Sequence, residues 1–384
     1  MTTILAPAVP QDIAELRQLY YDVYGHGYPV ALGSDPTVMH RLITDPHTHW
    51  LTARRTGTGE LVGSAVVQTD RPARAGKLVG LAVAPSHRGH GLAGRLTGAV
   101  TDDAFATGGL DSVHATVRTV SPAPQQVVAR NGFRPLGLMP NAADVSGCET
   151  LALFARFADG VLGRRAGVEA VPEALLPLLR AAEQSTGVSY GDQRPAEAPA
   201  PHTAAHRDPA AARAPMEVIT APGFVRRRFR ELFPEPLAAR LPLHLPNAVL
   251  TPPDGEFEFY ADVDTAARSC TLLAVHPYPP AAIPSLDAIV AAASRAGAGY
   301  VQTLLPLSDT AALHAYLSAG FVPSALYPAM RRTGDVFHDH VVLSRSDRRT
   351  DFRTMAVSAL LQPYLSAYLT AWTATYLPRH EVAR

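Results

Sequence analysis

The 384-residue chain is long enough for two domains of about 150 residues each, and 47% hydrophobic residues can supply a sizeable core. Its 34 basic and 34 acidic residues cancel, which leaves no basic footprint for nucleic acid and no polybasic membrane signal. Two cysteines exclude a disulfide framework, and no apolar run approaches the ~18 residues of a spanning helix. The start, Met1-Thr2-Thr3-Ile4-Leu5-Ala6-Pro7, lacks a basic n-region, so the expectation is a soluble cytoplasmic protein without a signal peptide.

In chain order, residues 12–24 carry Ile13, Leu16, Leu19, Tyr20 and Val23 at helical spacing. Gly25-His26-Gly27-Tyr28-Pro29 breaks that helix, and a second short helix is predicted over 36–44. Residues 50–54 and 61–67 read as a hairpin. Residues 77–83 are nearly all apolar and read as a central strand covered on both faces. A helix over 91–106 stops at Gly108-Gly109. A strand over 112–120, a short helix over 124–131 ending at Gly132-Phe133, and a strand over 149–157 complete a first α/β unit, 1–157.

Residues 158–191 hold one amphipathic helix, 173–184. Residues 192–215 are Pro/Ala-rich with almost no large apolar side chain, the composition of a linker or mobile loop. A second unit, 216–345, shows strand 269–275, helix 285–296, strand 300–306, helix 309–319, Gly320-Phe321 and strand 340–344. That order repeats residues 77–157, so the sequence implies a diverged internal duplication. In the tail, 346–384, the residues Phe352, Ala356, Leu360, Tyr364, Tyr368, Trp372 and Tyr376 recur every four positions. The reading is a helix over 350–377, kinked or split at Pro363 and docked on its own chain or in a homodimer interface.

The stretch that carries chemistry is Leu81 to Leu96, a strand, a glycine-rich loop and a helix start. Glycines let backbone N–H groups approach an anion, and the helix N-terminus adds unpaired donors and partial positive charge. Gly89-His90-Gly91-Leu92-Ala93-Gly94 spells a dinucleotide fingerprint, but a helical region and a hairpin precede the strand, and Asp111 begins the next strand where the fingerprint needs an acid at its end. No Gly-Lys-Ser/Thr is present, which excludes a P-loop.

Arg88-His-Gly-His-Gly-Leu-Ala93 contains Arg-x-x-Gly-x-Ala and resembles the coenzyme A pyrophosphate loop of the GNAT acyltransferase superfamily. The resemblance covers 1–157 in order: two helices, a hairpin, the strand through Leu81–Val83, the loop and its helix, the strand, the short helix and Gly132-Phe133. Tyr24-Gly25 with Tyr28, Ser121-Pro122-Ala123-Pro124-Gln125 and Glu149 are similar to a group of bacterial two-lobed GNAT proteins. Leu304 to Asp309, Gly320 to Pro323, Pro328 and Asp335 fit a second, degenerate GNAT-like lobe. Its equivalent loop, Val275-His276-Pro277-Tyr278-Pro279-Pro280-Ala281, is proline-rich and short of N–H donors. The implied fold class is α/β with a mixed sheet: two GNAT-like lobes in tandem plus a helical tail.

The resemblance implies an acyl-coenzyme A-dependent N-acyltransferase, with acetyl-coenzyme A or another acyl-coenzyme A as co-substrate and a small-molecule amine as acceptor. It implies a cofactor site of Leu81, Ala82, Val83, Arg88, Gly89, His90, Gly91, Leu92, Ala93, Gly94 and Ser121. Tyr24, Tyr28 and Lys77 are the candidate acceptor residues. Lys77, the only lysine in the chain, stands where many relatives place a carboxylate. The usual general-acid tyrosine is replaced by Val128, which leaves His114 and Glu149 as the catalytic candidates. His338-Asp339-His340 and His47-Thr48-His49 offer no third ligand, so no metal is expected. The alternatives are a non-catalytic acyl-coenzyme A sensor and a tandem GNAT-like aminoacyl transferase using aminoacyl-tRNA, the latter disfavoured by the neutral charge and the intact loop.

Overall fold

In a computed structural model, which describes residues 2–25, 30–144, 147–197, 212–233, 243–277 and 282–377, the chain opens with a strand. Strand β1 (Thr3–Pro7) pairs antiparallel with β2 (Thr48–Arg55). Between them, α1 (Ile13–Tyr24) buries Leu16, Leu19 and Tyr20, an i, i+3, i+4 set on one face. Helix α2 (Pro36–Thr44) begins where the Asp35 carboxylate accepts from the amides of Thr37 and Val38 and Pro36 presets the first turn. Strands β3 (Leu61–Asp70) and β4 (Ala75–Val83) continue antiparallel. β5 (Ser112–Arg118) runs parallel to β4, so a crossover is needed, and α3 (Leu92–Gly108) supplies it. Helix α4 (Pro122–Arg130), β6 (Arg134–Asp144) and β7 (Cys148–Phe157) follow, with β7 inserted between β5 and β6.

A short parallel pair, β8 (Ala170–Val171) with β9 (Arg194–Pro195), flanks α5 (Leu176–Thr186). The second half comprises β10 (Glu217–Ile219), α6 (Pro222–Leu232), β11 (Ala248–Thr251), β12 (Glu258–Asp264) and β13 (Ser269–His276). It continues through α7 (Leu286–Arg295), β14 (Tyr300–Pro306), α8 (Thr310–Ser318), β15 (Val322–Thr333) and β16 (Val336–Ser346). The last helix is α9 (Gln362–Tyr376).

Among the described residues all strands but β8 and β9 form one sheet of fourteen, ordered β1-β2-β3-β4-β5-β7-β6-β15-β16-β14-β13-β12-β11-β10. Read from its far end, the second half repeats the order of the first, and its one parallel step, β13 to β14, matches β4 to β5. The halves join antiparallel where Gly137 faces Ala325. A Cβ on Gly137 would lie 2.2 Å from the Ser324 carbonyl oxygen, so this close approach requires glycine. One apolar cluster runs through both halves: Leu78, Val113 and Phe154 in the first, Leu178 and Ala182 of α5, and Leu272, Leu313 and Leu343 in the second.

The structure departs from the sequence reading in several places. β1, β6, β10, β11, β12, β15 and α6 were not anticipated. In β6 and β15 the reason is local: Pro140-Asn141 and Pro328-Ala329 interrupt the apolar pattern, and both Asn141 and Ala329 have positive φ (64° and 50°). The tail is helical only from its 3-10 turn Ala359–Leu361 onward, so Phe352 and Ala356 lie outside the helix. Pro363 starts α9 rather than splitting it, because a first-turn residue needs no N–H partner. α9 packs on its own chain: the Tyr364 hydroxyl donates to the Pro135 carbonyl at 2.7 Å, and the Tyr376 hydroxyl donates to the Gly320 carbonyl at 2.7 Å. Tyr28 and His26, residues 198–211 of the expected linker and residues 278–281 of the proline-rich loop lie outside the described residues.

Candidate active site

The site is built on a bulge in β4. Between the pairs Ser64↔Ala82 and Val66↔Val79, two β4 residues, Gly80 and Leu81, stand against one on β3. Gly80 takes φ +60°, where a Cβ would lie 2.6 Å from the Tyr20 hydroxyl. α1 clamps the two bulged carbonyls with tyrosines one turn apart. The Tyr20 hydroxyl donates to Gly80 O at 2.8 Å and the Tyr24 hydroxyl to Leu81 O at 2.5 Å, with the two rings stacked. Trp50 Nε1 donates to Ser64 Oγ at 2.8 Å and closes this network beneath the bulge.

β4 and β5 pair only from Ala75↔Ser112 to Leu78↔Ala115. Beyond that point they part and leave a wedge between Val79–Val83 and Thr116–Arg118. At its head the chain turns through Pro85–His87, and Arg88 Nε donates to the Val83 carbonyl at 3.2 Å. Gly89 and Gly91 follow with φ +82° and +74°, and α3 starts at Leu92. Residues 88–91 are exposed, and nothing lies within 4 Å of a Cβ built on Gly89 or Gly91. The first-turn amides of a 17-residue helix therefore open onto the wedge, with no acidic side chain among residues 84–95. This environment fits a pyrophosphate and an extended thiol-bearing arm, the shape and charge of coenzyme A.

The walls are set by period-2 alternation. Lys77, Val79 and, past the bulge, Ala82 on β4 share a face with His114, Thr116 and Arg118 on β5, while the bulge turns Leu81 to the other face with Leu78 and Val83. Arg118 grips Glu149 with two 2.6 Å bonds, Nε to Oε2 and Nη2 to Oε1. Both Glu149 oxygens are thus engaged by a cation, which disfavours the sequence reading of Glu149 as a free acid or base. Arg118 was missed there, although alternation from His114 through the exposed Thr116 leads to it. Tyr24 stands close to Arg118 and Arg88; burial raises its hydroxyl pKa, and the two guanidiniums oppose that rise. Tyr21 is exposed.

His114 is opposite Lys77 in register and only 5% exposed. Its ring meets the edge of Tyr327 from the second half at 6.1 Å, and its Nδ1 is buried without a hydrogen-bond partner. Burial, then the nearby Lys77 and His244, pushes His114 down to about 3. It is neutral above that pH, which suits hydrogen bonding and not proton exchange near neutrality, against the sequence reading of a catalytic acid-base role. His114 and Arg118 are four residues apart on one strand, about 13 Å, so the structure does not bring His114 and the Arg118–Glu149 pair together at one point. Lys77 is lowered by burial, partly offset by Asp262 and Asp264 of β12.

Ser121 precedes α4 in extended conformation and its side chain makes no cap bond. Val128 is 3% exposed within the main core, so no hydroxyl reaches the wedge from that helix position. The segment before α9 braces this end of the wedge. Ala356 N donates to Thr119 O at 2.6 Å, Gln125 Nε2 donates to Ala356 O at 2.8 Å, and Ser358 N donates to Gln125 Oε1 at 2.8 Å.

Residues 13–133 match the acetyltransferase (GNAT) family. No curated protein sequence matches the chain. Solved structures similar to it include an N-acetyltransferase from Staphylococcus aureus Mu50, at 17% identity over 41% of this chain and 99% of that one, with a TM-score of 0.36. Another is the ribosomal-protein-S18-alanine N-acetyltransferase from Escherichia coli, at 15% identity over 41% and 94%, TM-score 0.35. A third is a GNAT superfamily phosphinothricin acetyltransferase from Sinorhizobium meliloti, solved in complex with acetyl-coenzyme A, at 19% identity over 42% and 95%, TM-score 0.36. Among the described residues no helix is long and apolar enough to cross a membrane.

Proposed function

From a chain whose residues 13–133 form a GNAT acetyltransferase domain, we propose an acyl-coenzyme A-dependent N-acyltransferase that moves an acetyl group to a small-molecule amine. The observation that carries this reading is the clamped bulge at Gly80-Leu81, opening a wedge below the exposed turn Arg88–Gly91 and the first amides of α3.

In this reading the thioester supplies an activated acyl group. Amides of residues 89–94 hold the pyrophosphate, and Leu81 to Val83 line the pantetheine arm, with Ser121 beside it. The amide of Ala82 or Val83 polarises the acyl carbonyl. The tyrosine clamp keeps that strand fixed, so catalysis is mainly positioning. Arg118, held by Glu149, and Tyr24 form the mouth where the amine enters, and Lys77 and His114 line the deeper wall. The second half walls the acceptor side. We propose the lobe boundaries 1–157 and 216–345, with 158–215 connecting them.

The second reading, an acyl-coenzyme A sensor, is favoured by one observation: Val128 sits in the core where the usual acid would be. Thiol release from acetyl-coenzyme A, measured with and without a panel of primary amines, separates the two. Amine-dependent release supports the enzyme; binding without release across the panel supports the sensor.

A further inference from the structure

β12 is eight places from β4 in the strand order, yet Asp262 and Asp264 of β12 act on Lys77 and the neighbouring His244 acts on His114, so the sheet curls to bring the two strands across from each other. Two links pin this closure. The Leu243 amide donates to the Asp70 carboxylate at the end of β3 at 3.3 Å, and the Ser112 and Tyr327 hydroxyls meet at 2.9 Å. The enclosed face is apolar at its middle, where Leu153, Ala155, Tyr327 and Met330 cluster, and polar at the two parallel steps that flank it. Lys77 and His114 stand on the first half. Their counterparts at the parallel step of the second half are Thr271 and Gln302, joined by a 3.0 Å bond. Asp262 is opposite Thr271 and is held by His244 Nδ1 at 2.8 Å and Asn247 Nδ2 at 3.2 Å.

The satisfaction of these groups is uneven. The second-half groups satisfy one another, while the first-half pair does not. Lys77 makes no hydrogen bond or ion pair among the described residues, and Asp262 and Asp264 act on it only at a distance. The buried Nδ1 of His114 beside it also has no partner. A half-buried ammonium next to an orphan imidazole nitrogen leaves unfilled donor capacity in a place poorly reached by water. An anion that accepts from both fills it. Across the gap, the carboxylates of β12 favour a cationic group on the same molecule.

We infer that Lys77 and His114 bind the carboxylate of the acceptor, which is therefore an amine that also carries a carboxylate. This rests on the proposed acyltransfer and names its acceptor class. His114 donates through Nδ1–H, the neutral tautomer that a carboxylate at this nitrogen selects, with Lys77 supplying the charge, and β12 faces the ammonium before it loses its proton.

Lys77 is the only lysine, so protein labelled with 13C-lysine gives one side-chain Cε signal, that of Lys77 itself. The probes are the twenty standard amino acids, β-alanine and 4-aminobutyrate, each beside its carboxamide. The expected result is a saturable shift of the Cε signal with at least one free acid and none with its carboxamide. In thiol release, Lys77→Met raises KM for that acid by about tenfold or more, roughly the loss of one charged hydrogen bond. It raises KM for the matching carboxamide much less than for the acid, and Lys77→Arg restores part of the difference. A flat Cε signal across the panel, or equal shifts with acid and carboxamide, overturns the inference. Acetyl-coenzyme A titration of the same samples tells the two failures apart. Intact cofactor binding and turnover with no carboxylate preference sinks only this inference, whereas loss of cofactor binding sinks the acyltransferase reading.

Discussion

The Tyr24 hydroxyl and the Leu81 carbonyl meet at 2.5 Å across α1 and β4, and that bond fixes the strand on which the proposed chemistry depends. Tyr24→Phe removes it and keeps the ring. The expected cost is about 1 kcal/mol of stability. Amide exchange at residues 81–83 should quicken, and kcat/KM should fall by about tenfold. Unchanged exchange at those amides would show that the clamp is not needed to hold the bulge.

A second prediction concerns the join between the halves. Gly137→Val places a Cβ 2.2 Å from the Ser324 carbonyl oxygen, and neither backbone can give way cheaply. Urea unfolding should show a loss of about 3 kcal/mol or more, or two separate transitions as the halves uncouple. A single transition at the wild-type midpoint would refute the observed register.

A third concerns Arg118 and Glu149. Glu149 is 6% exposed, so Arg118→Met strands a buried carboxylate and should cost about 3–5 kcal/mol. Glu149→Gln should cost less, because Arg118 is more exposed and can reach water. In the double variant the penalty should be smaller than the sum of the two. Additive penalties in urea titrations would mean that the pair is not coupled.

The buried histidines set an acid limb. His114 and His340 are both pushed down to about 3, each chiefly by burial, with Lys77 and His244 adding to the first and Arg331 to the second. In the unfolded chain each takes a proton near pH 6.5. Above that pH neither state is protonated and the pair contributes no slope. As pH falls below 6.5 the unfolded chain gains protons that the folded one refuses, and stability drops by about 1.4 kcal/mol per pH unit for each histidine toward pH 3. His114→Gln with His340→Gln should flatten the slope between pH 6.5 and 5, before carboxylates titrate. A slope unaltered by the double substitution would place its source elsewhere.

Much of the scaffold is legible from sequence wherever local signals agree. α2 coincides with its expected span because Asp35 and Pro36 mark its start, and β14 because a short apolar run is bounded by Gly299 and Pro306. The loop from Arg88 to Gly94 is readable because its glycines are spaced for a turn into a helix. β6 and β15 were not readable, since prolines and positive-φ residues hide their pairing. β1 was overlooked because five residues ending in Pro7 carry little pattern. The sequence places His114 mid-strand and Glu149 on the last strand of the first unit; their settings, a buried neutral ring and a carboxylate locked by Arg118, depend on strands far apart in sequence. The face shared by Lys77 and Asp262 exists only because the sheet curls, which no local pattern encodes.

Coenzyme A should bind in the first half alone, at the amides above the Gly80 bulge. Calorimetric titration with acetyl-coenzyme A tests it most directly, on the wild type and on Gly91→Asp. Position 91 has open space around a Cβ, and its positive φ is one that Asp tolerates better than most residues, so the variant should fold. Its carboxylate would face the pyrophosphate. The wild type should show one site per chain, and folded Gly91→Asp should lose at least about a hundredfold in affinity, near 2.7 kcal/mol. Two equal sites, or wild-type affinity in the folded variant, would contradict it.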